Sequence, residues 1–358
     1  MSRMAASGGL FAPAQGTTYL DTATYGLAPS TAIAAMTQAL AGWQDGTAHW
    51  IDDFDSVAER GRIAFGRLIG VPADDVALVP SASVGVGTIA ASLAPTDQVL
   101  VPDDEFTSLL FPLLVAERSG VPVTQVPFEQ LVDRIVPGVT LVACSLVQMQ
   151  TGRVAALEAV LDRAAEVGAR VLVDGTHGLP FIGLGGLLAR ADYIVCAGYK
   201  HLLCPRGVSF FVVRTDRQDE LSPWNANWRS TDGFYHRYFG GPLTLVDTAG
   251  RFDVSPAWFP WIGGAESLEL LCGWSADGEL ERARDLAGAI AKGLDVPWGG
   301  ASLVSVPVDD LDATSTALIS ANVKAGVRGG RVRLSTHVYN TPADAELVSR
   351  VLGPLVAR

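Results

Sequence analysis

Charge is scarce in this chain of 358 residues: only 18% are Asp, Glu, Lys or Arg, against an apolar share of 49%. A composition this poor in charge argues against long disordered tracts, and the length suits one large domain with a smaller one. Positive charge is in particular deficit, with 26 basic residues against 38 acidic ones and a formal net charge of -12. That balance disfavours nucleic acid and anionic membrane as partners, although it still allows a local basic pocket for a phosphate. Small molecules are the expected partners. Cysteine is sparse, and Cys144, Cys196, Cys204 and Cys272 show neither CxxC spacing nor the density of a disulfide scaffold. Three of them lie in or beside apolar, strand-like runs, so buried reduced thiols are expected rather than metal ligands or disulfides. Also missing are an apolar run of membrane-spanning length and, in residues 1–16, the continuous apolar core of a signal peptide. A soluble cytoplasmic protein is the expectation.

What is present is alternation. Apolar runs at 76–79, 98–101, 121–126, 140–144, 171–173, 193–196 and 208–213 read as strands, with helix-period segments between most of them. In the segment 154–167, for example, Leu157, Val160, Leu161 and Ala164 fall on one face. The pattern predicts an α/β fold with a mostly parallel seven-stranded sheet sandwiched by helices. In such sheets ligands bind beyond the carboxyl ends of the strands. Those ends carry Ser81 to Gly87, Asp103 to Phe106, Ser145 to Gln150, Asp174 with His177, and Tyr199-Lys200-His201. After Arg214 the alternation gives way to an aromatic stretch with Trp224, Trp228, Tyr235, Tyr238, Trp258 and Trp261, then to a helix-rich end. The expected division is a large domain over 15–250 and a smaller α+β domain over 251–358, with the segment 1–30 packing near the site.

Two strand ends carry the chemistry. In Val171-Leu-Val-Asp174-Gly-Thr-His177 a buried strand runs into a carboxylate. Alone, Asp174 reads first as a turn cap and second as the partner of a protonated heteroaromatic nitrogen. His177 reads as a core histidine or, with Asp174, as half of a metal pair that lacks a third ligand. In Cys196-Ala-Gly-Tyr199-Lys200-His-Leu-Leu-Cys-Pro205-Arg206-Gly207 a lysine stands just past an apolar strand. Burial there disfavours the ammonium, and a neutral amine is a nucleophile toward aldehydes.

The two pieces together resemble the class V aminotransferase family of fold-type I pyridoxal-5'-phosphate (PLP) enzymes, which includes cysteine desulfurases, kynureninases and isopenicillin N epimerase. The resemblance extends from Tyr19-Leu-Asp-Thr-Ala-Thr-Tyr-Gly26-Leu-Ala-Pro29 to Arg331-Val-Arg333-Leu-Ser335-Thr-His-Val-Tyr339-Asn340-Thr341. It implies PLP as cofactor, with Lys200 as the Schiff-base lysine, Asp174 on the pyridinium nitrogen and His177 on the phenolic oxygen. Ser83 with the amides of Val84 and Gly85 would form the phosphate cup, although the same run could be an ordinary strand-to-helix turn. Phe106 would stack on the ring or simply fill the core. The resemblance also puts Tyr199 at the phosphate, Gln148 near the cofactor, and Ser255 at a phosphate across a homodimer interface. Arg333 would grip the carboxylate of an amino-acid substrate.

Two departures matter. Desulfurases of this family carry a nucleophilic cysteine shortly before that arginine, whereas here the stretch reads Asn322-Val-Lys-Ala-Gly-Val-Arg-Gly-Gly, so persulfide chemistry is not expected. Ala197 stands where many relatives have a hydroxyl on the phosphate. The leading expectation is aminotransferase-type chemistry on an amino acid, with a beta-eliminating carbon-sulfur lyase or an epimerase as rivals. A non-catalytic binding module would have no need of Lys200 and Asp174. A nucleotide-binding dehydrogenase fits the sheet but lacks the GxGxxG run.

Overall fold

The computed structural model describes residues 9–183 and 185–357. Its elements in chain order begin with β1 (Thr18–Tyr19), α1 (Ser30–Asp45), α2 (Val57–Ile69), β2 (Val76–Val79), α3 (Ala82–Ser92), β3 (Val99–Pro102), α4 (Thr107–Glu117) and β4 (Val123–Val126). They continue through β5 (Leu141–Ser145), α5 (Leu157–Val167), β6 (Arg170–Asp174), β7 (Tyr193–Ala197), β8 (Ser209–Val213), α6 (Trp258–Ala276) and α7 (Glu279–Leu294). The chain ends with β9 (Leu303–Pro307), α8 (Leu311–Ser320), β10 (Val323–Lys324), β11 (Gly326–Arg328), β12 (Arg331–Ser335) and α9 (Pro342–Leu352).

All seven expected strands form one sheet in the order β2-β8-β7-β6-β5-β3-β4. Strands β3 to β7 pair in parallel, while β8 runs antiparallel to both β7 and β2. Strands β5, β7 and β8 are buried at every residue, as a sheet covered on both faces demands. The pleat divides their side chains between two cores: Ile194 and Cys196 join one, Tyr193, Val195 and Ala197 the other. Helix α3 lies close against the second face. A Cβ on its Gly85 would come within 2.9 Å of both Phe211 and Val195.

A third core gathers Leu20, Leu286, Ile290, Val304, Val306, Val332, Leu334 and Val348 around the antiparallel sheet β11-β12-β9. Residues from both ends of the chain therefore build it. Helix α6 does not share that core; its Trp261, Leu268, Leu271 and Trp274 pack with the large sheet. The division expected at 250/251 thus falls ahead of a helix of the large body, and we propose a boundary near Asp277, between α6 and α7.

The aromatic stretch packs largely on itself. Trp50 stacks on Trp258 at 5.9 Å and meets Trp228 and Tyr235 edge-on, around a buried network in which Arg229 and Arg62 face Asp55, Glu59 and Asp253. Among the described residues no helix is long and apolar enough to cross a membrane.

Candidate active site

Because β2, β3, β5, β6 and β7 point the same way, their carboxyl ends share one edge of the sheet. A cavity of about 230 Å³ opens there, lined among others by Ser81, Ser83, Phe106, Asp174, His177, Tyr199, Lys200 and Arg206. A larger groove of about 520 Å³ runs between Phe128 and Trp298, but it holds neither an amine nor an imidazole, and its Arg153 is paired with Asp104 and Glu129. The reactive groups converge on the smaller cavity.

Lys200 is 5% exposed, and its Nζ stands 2.9 Å from Nε2 of His177. Burial lowers the lysine to about 8, the Asp174 carboxylate partly opposes this, and the charges of Arg333 and Arg328 add to the lowering. The amine is thus poised to shed its proton near neutrality. Burial also raises Asp174, against hydrogen bonds from Thr176 and the charge of Lys200; the Thr176 amide donates to its Oδ1 at 2.9 Å. For His177, burial and then the Lys200 charge lower the pKa, so its Nε2 accepts from the ammonium while its buried Nδ1 has no partner. Among the described residues no cluster of His, Cys, Asp and Glu suits a metal ion.

At the other end of the cavity β2 turns into α3. Ser81 is the N-cap, with its Oγ 2.9 Å from that of Ser83, and Ala82 and Ser83 border the cavity where the helix amides begin. An anion placed there would meet free N–H groups and the positive end of the helix dipole. Val84 and Gly85, expected in this cup, do not line it. The Val84 amide donates to the Ser81 carbonyl at 3.1 Å, and Gly85 is needed for packing on Phe211. Gln148 does not line the cavity either. Its Oε1 accepts from Gln150, Thr151 N and Thr151 Oγ1, and its Nε2 donates to the Asp104 carbonyl, so its amide braces a turn away from the cavity.

Phe106 is 36% exposed, with the Lys200 amine 5.2 Å from its ring centre, which suits a platform better than a core residue. Tyr199 also borders the cavity, and the guanidinium of Arg206 lies over its ring at 5.1 Å. Ser255 is exposed and does not line the cavity of its own chain. Arg333 is buried beside Thr24, to which it donates at 2.8 Å; burial and the Arg328 charge hold it down to about 10, and its Nε has no partner.

Sequence reading missed several groups. Arg206 lines the cavity without an ion pair among the described residues, and the basic residue in a Pro-Arg-Gly turn was the signal available. Glu105 is buried beneath the site, accepting from the Ser145 amide at 2.6 Å and its hydroxyl at 2.5 Å; burial lifts it to about 7, with Asp174 adding to the lift. Leu203 adopts φ 55° three residues after the lysine, a left-handed conformation unusual for a leucine and invisible in sequence. Its neighbour Gly26 has no room for a side chain, since a Cβ would lie 2.4 Å from the Lys200 carbonyl.

These residues suit PLP: a buried amine for its aldehyde, a buried carboxylate for its ring nitrogen, an unsatisfied imidazole nitrogen, an aromatic face, and hydroxyls with a helix N-terminus for its phosphate. The Aminotransferase class-V model matches residues 18–348. An uncharacterised aminotransferase of Bacillus subtilis is 26% identical over 305 residues, covering 80% of each chain. A probable cysteine desulfurase of Vibrio cholerae is 25% identical over 333 residues, again covering 80% of each. Among solved structures the cystine C-S lyase C-DES superposes with a TM-score of 0.84 at 19% identity, covering 96% of this chain and 99% of that one. From the buried amine outward to the whole-chain match, the protein belongs to the class V aminotransferase family of PLP-dependent enzymes.

Proposed function

We propose that this enzyme processes the amino group of an amino acid by aminotransferase-type chemistry, with Lys200 holding the cofactor and then moving the substrate's α proton. The observation that carries the reading is the buried Lys200 amine, held near 8 beside a buried carboxylate. A base with that pKa takes and returns a proton near neutral pH with little driving force lost in either direction. When bound, PLP supplies an electron sink that stabilises negative charge at the substrate's α carbon.

The chain's own groups would do the rest. Asp174 would hold the ring nitrogen by a charge-assisted hydrogen bond, and His177 would donate to the phenolic oxygen. Ser81, Ser83, Tyr199 and Arg206 would grip the phosphate, and Arg206 would supply charge where Ala197 offers no hydroxyl. Arg333 would bind the α-carboxylate through its unpartnered Nε. Ser255 would complete the phosphate site of a second copy, making the enzyme a homodimer. Epimerisation would instead return the α proton to the opposite face of the carbon, from Lys200 itself or from a second lining group such as His177 or Tyr199. Sulfur transfer to a thiol is unsupported, since no cysteine lines the cavity and burial raises Cys144, Cys196 and Cys204.

Purified protein should be yellow, and borohydride should trap the cofactor on Lys200, as read by peptide mass. A protein that never takes up PLP would overturn the reading. An amino-acid panel with and without a keto-acid acceptor then identifies the reaction. Amino transfer that depends on the acceptor is the expected result; ammonia and a keto acid formed without any acceptor would mean beta-elimination instead.

A further inference from the structure

Residue Thr24 sits in an unusual bracket of charge. Its hydroxyl donates to the Asp21 carboxylate at 2.7 Å, accepts from Arg333 at 2.8 Å and lies 3.5 Å from the guanidinium of Arg328. One proton and two lone pairs are thereby all engaged. Asp21 is 3.9 Å from Arg333, and among the described residues no other carboxylate pairs with either guanidinium. The bracket therefore holds two positive charges against one negative. The charge of Arg328 bears on Lys200, His177 and Arg333 alike, lowering the pKa of each, so its field reaches across the site.

The hairpin β11–β12 puts Arg328 there. Gly329 and Gly330, at φ 56° and 70°, make the tight turn that sends the chain back. In register, Gly326 faces Arg333 and Arg328 faces Arg331, and cross-strand partners project from one side of the sheet. Arg331 is drawn off to Ser305, to whose Oγ and carbonyl it donates. Gly326 carries no side chain, and even a Cβ there would stand 3.3 Å from Asp21 and 3.7 Å from the Arg333 Nε. The strand pair thus adds no side chain of its own between Asp21 and Arg333, and the exposed Arg328 stands at the rim without an ion pair among the described residues.

We propose that Arg328 reads a second anionic group on the substrate, so that the site takes amino acids with an acidic side chain, carboxylate or sulfonate, whose α-carboxylate sits on Arg333. This rests on the amino-acid reading given above. A substrate with a single carboxylate would engage the orphaned Nε of Arg333 and leave the exposed Arg328 guanidinium, 3.5 Å from the Thr24 hydroxyl, without a counter-charge among the described residues. A second anion, held by a planar two-donor fork, completes the bracket.

The test measures calorimetric binding to the PLP-loaded protein of the isosteric pairs L-aspartate with L-asparagine and L-glutamate with L-glutamine, in wild type, Arg328→Gln and Arg328→Lys. Wild type should bind at least one acid about tenfold or more tighter than its amide, as one added charge-assisted contact implies. Arg328→Gln should erase that preference while leaving amide binding within about twofold, and Arg328→Lys should retain part of it. Absence of any preference for the acids in wild type overturns the proposal. So does an equal loss for acid and amide in Arg328→Gln, which would make Arg328 a second clamp on the α-carboxylate. If wild type loads PLP yet binds none of the four, nor any other amino acid, the amino-acid reading itself fails and this one with it.

Discussion

Lys200 is one of three lysines in the chain, and the other two, Lys292 and Lys324, are exposed. This makes its proton affinity directly measurable, with two internal references. Because the Asp174 carboxylate is what holds the buried ammonium up, Asp174→Asn should lower Lys200 further below about 8 in the cofactor-free protein. The pH midpoint for acylation of the Lys200 peptide should fall, while those of the Lys292 and Lys324 peptides stay put. Arg206 invites a second measurement. If its guanidinium serves the phosphate, Arg206→Gln should weaken binding of PLP about tenfold or more and leave binding of pyridoxal, which lacks the phosphate, nearly unchanged. That Lys200, Asp174 and His177 meet in one cavity was legible in sequence because each follows an apolar strand at a short fixed distance, and the fold turns that distance into position. Thr24, Arg206 and Glu105 were not. Thr24 and Glu105 have partners far off in sequence, Arg333 and Ser145, and no local pattern records such a pairing, while for Arg206 a single basic residue in a turn is too common to stand out.

The same contrast runs through the elements. Seven short apolar runs bounded by turns announced the strands to within about two residues, because a doubly covered sheet needs uninterrupted burial. What the runs did not announce is that β8 is reversed, since a strand buried on both faces has the same composition in either direction. Packing constraints on glycine were equally silent. Gly26 lets the N-terminal segment close on the lysine turn, its amide donating to the Tyr199 carbonyl at 2.9 Å. Gly26→Ala should cost roughly 1–3 kcal/mol through overpacking against Leu203 and the Lys200 carbonyl. It should appear as a lower urea midpoint at unchanged slope.

For the molecule as a whole, the buried Glu105 makes stability depend on pH. Its carboxyl is held up at about 7 against an ordinary 4.5, so the folded chain keeps a proton that the unfolded chain releases. Stability from this source is full below the ordinary value and is lost as the pH rises through about 7. Denaturant midpoints of the cofactor-free protein should therefore fall between about pH 5 and 7 in wild type and flatten in Glu105→Gln. Association is a second property of the whole. Phe239 is 96% exposed, and if the proposed homodimer buries it, the native protein should sediment at twice the chain mass and Phe239→Asp should shift it toward the monomer. The reversed strand has one more consequence. A parallel successor to β7 would need a crossover, usually through a helix, whereas β8 returns antiparallel through the single loop 198–208, so Lys200, the proposed covalent anchor, and the Arg206 turn belong to one short span. Loops on the far edge of the sheet can lengthen without touching the chemistry, but an insertion in this span would pull the amine and the guanidinium apart. Loop grafting aimed at new substrates has to be done elsewhere on the rim.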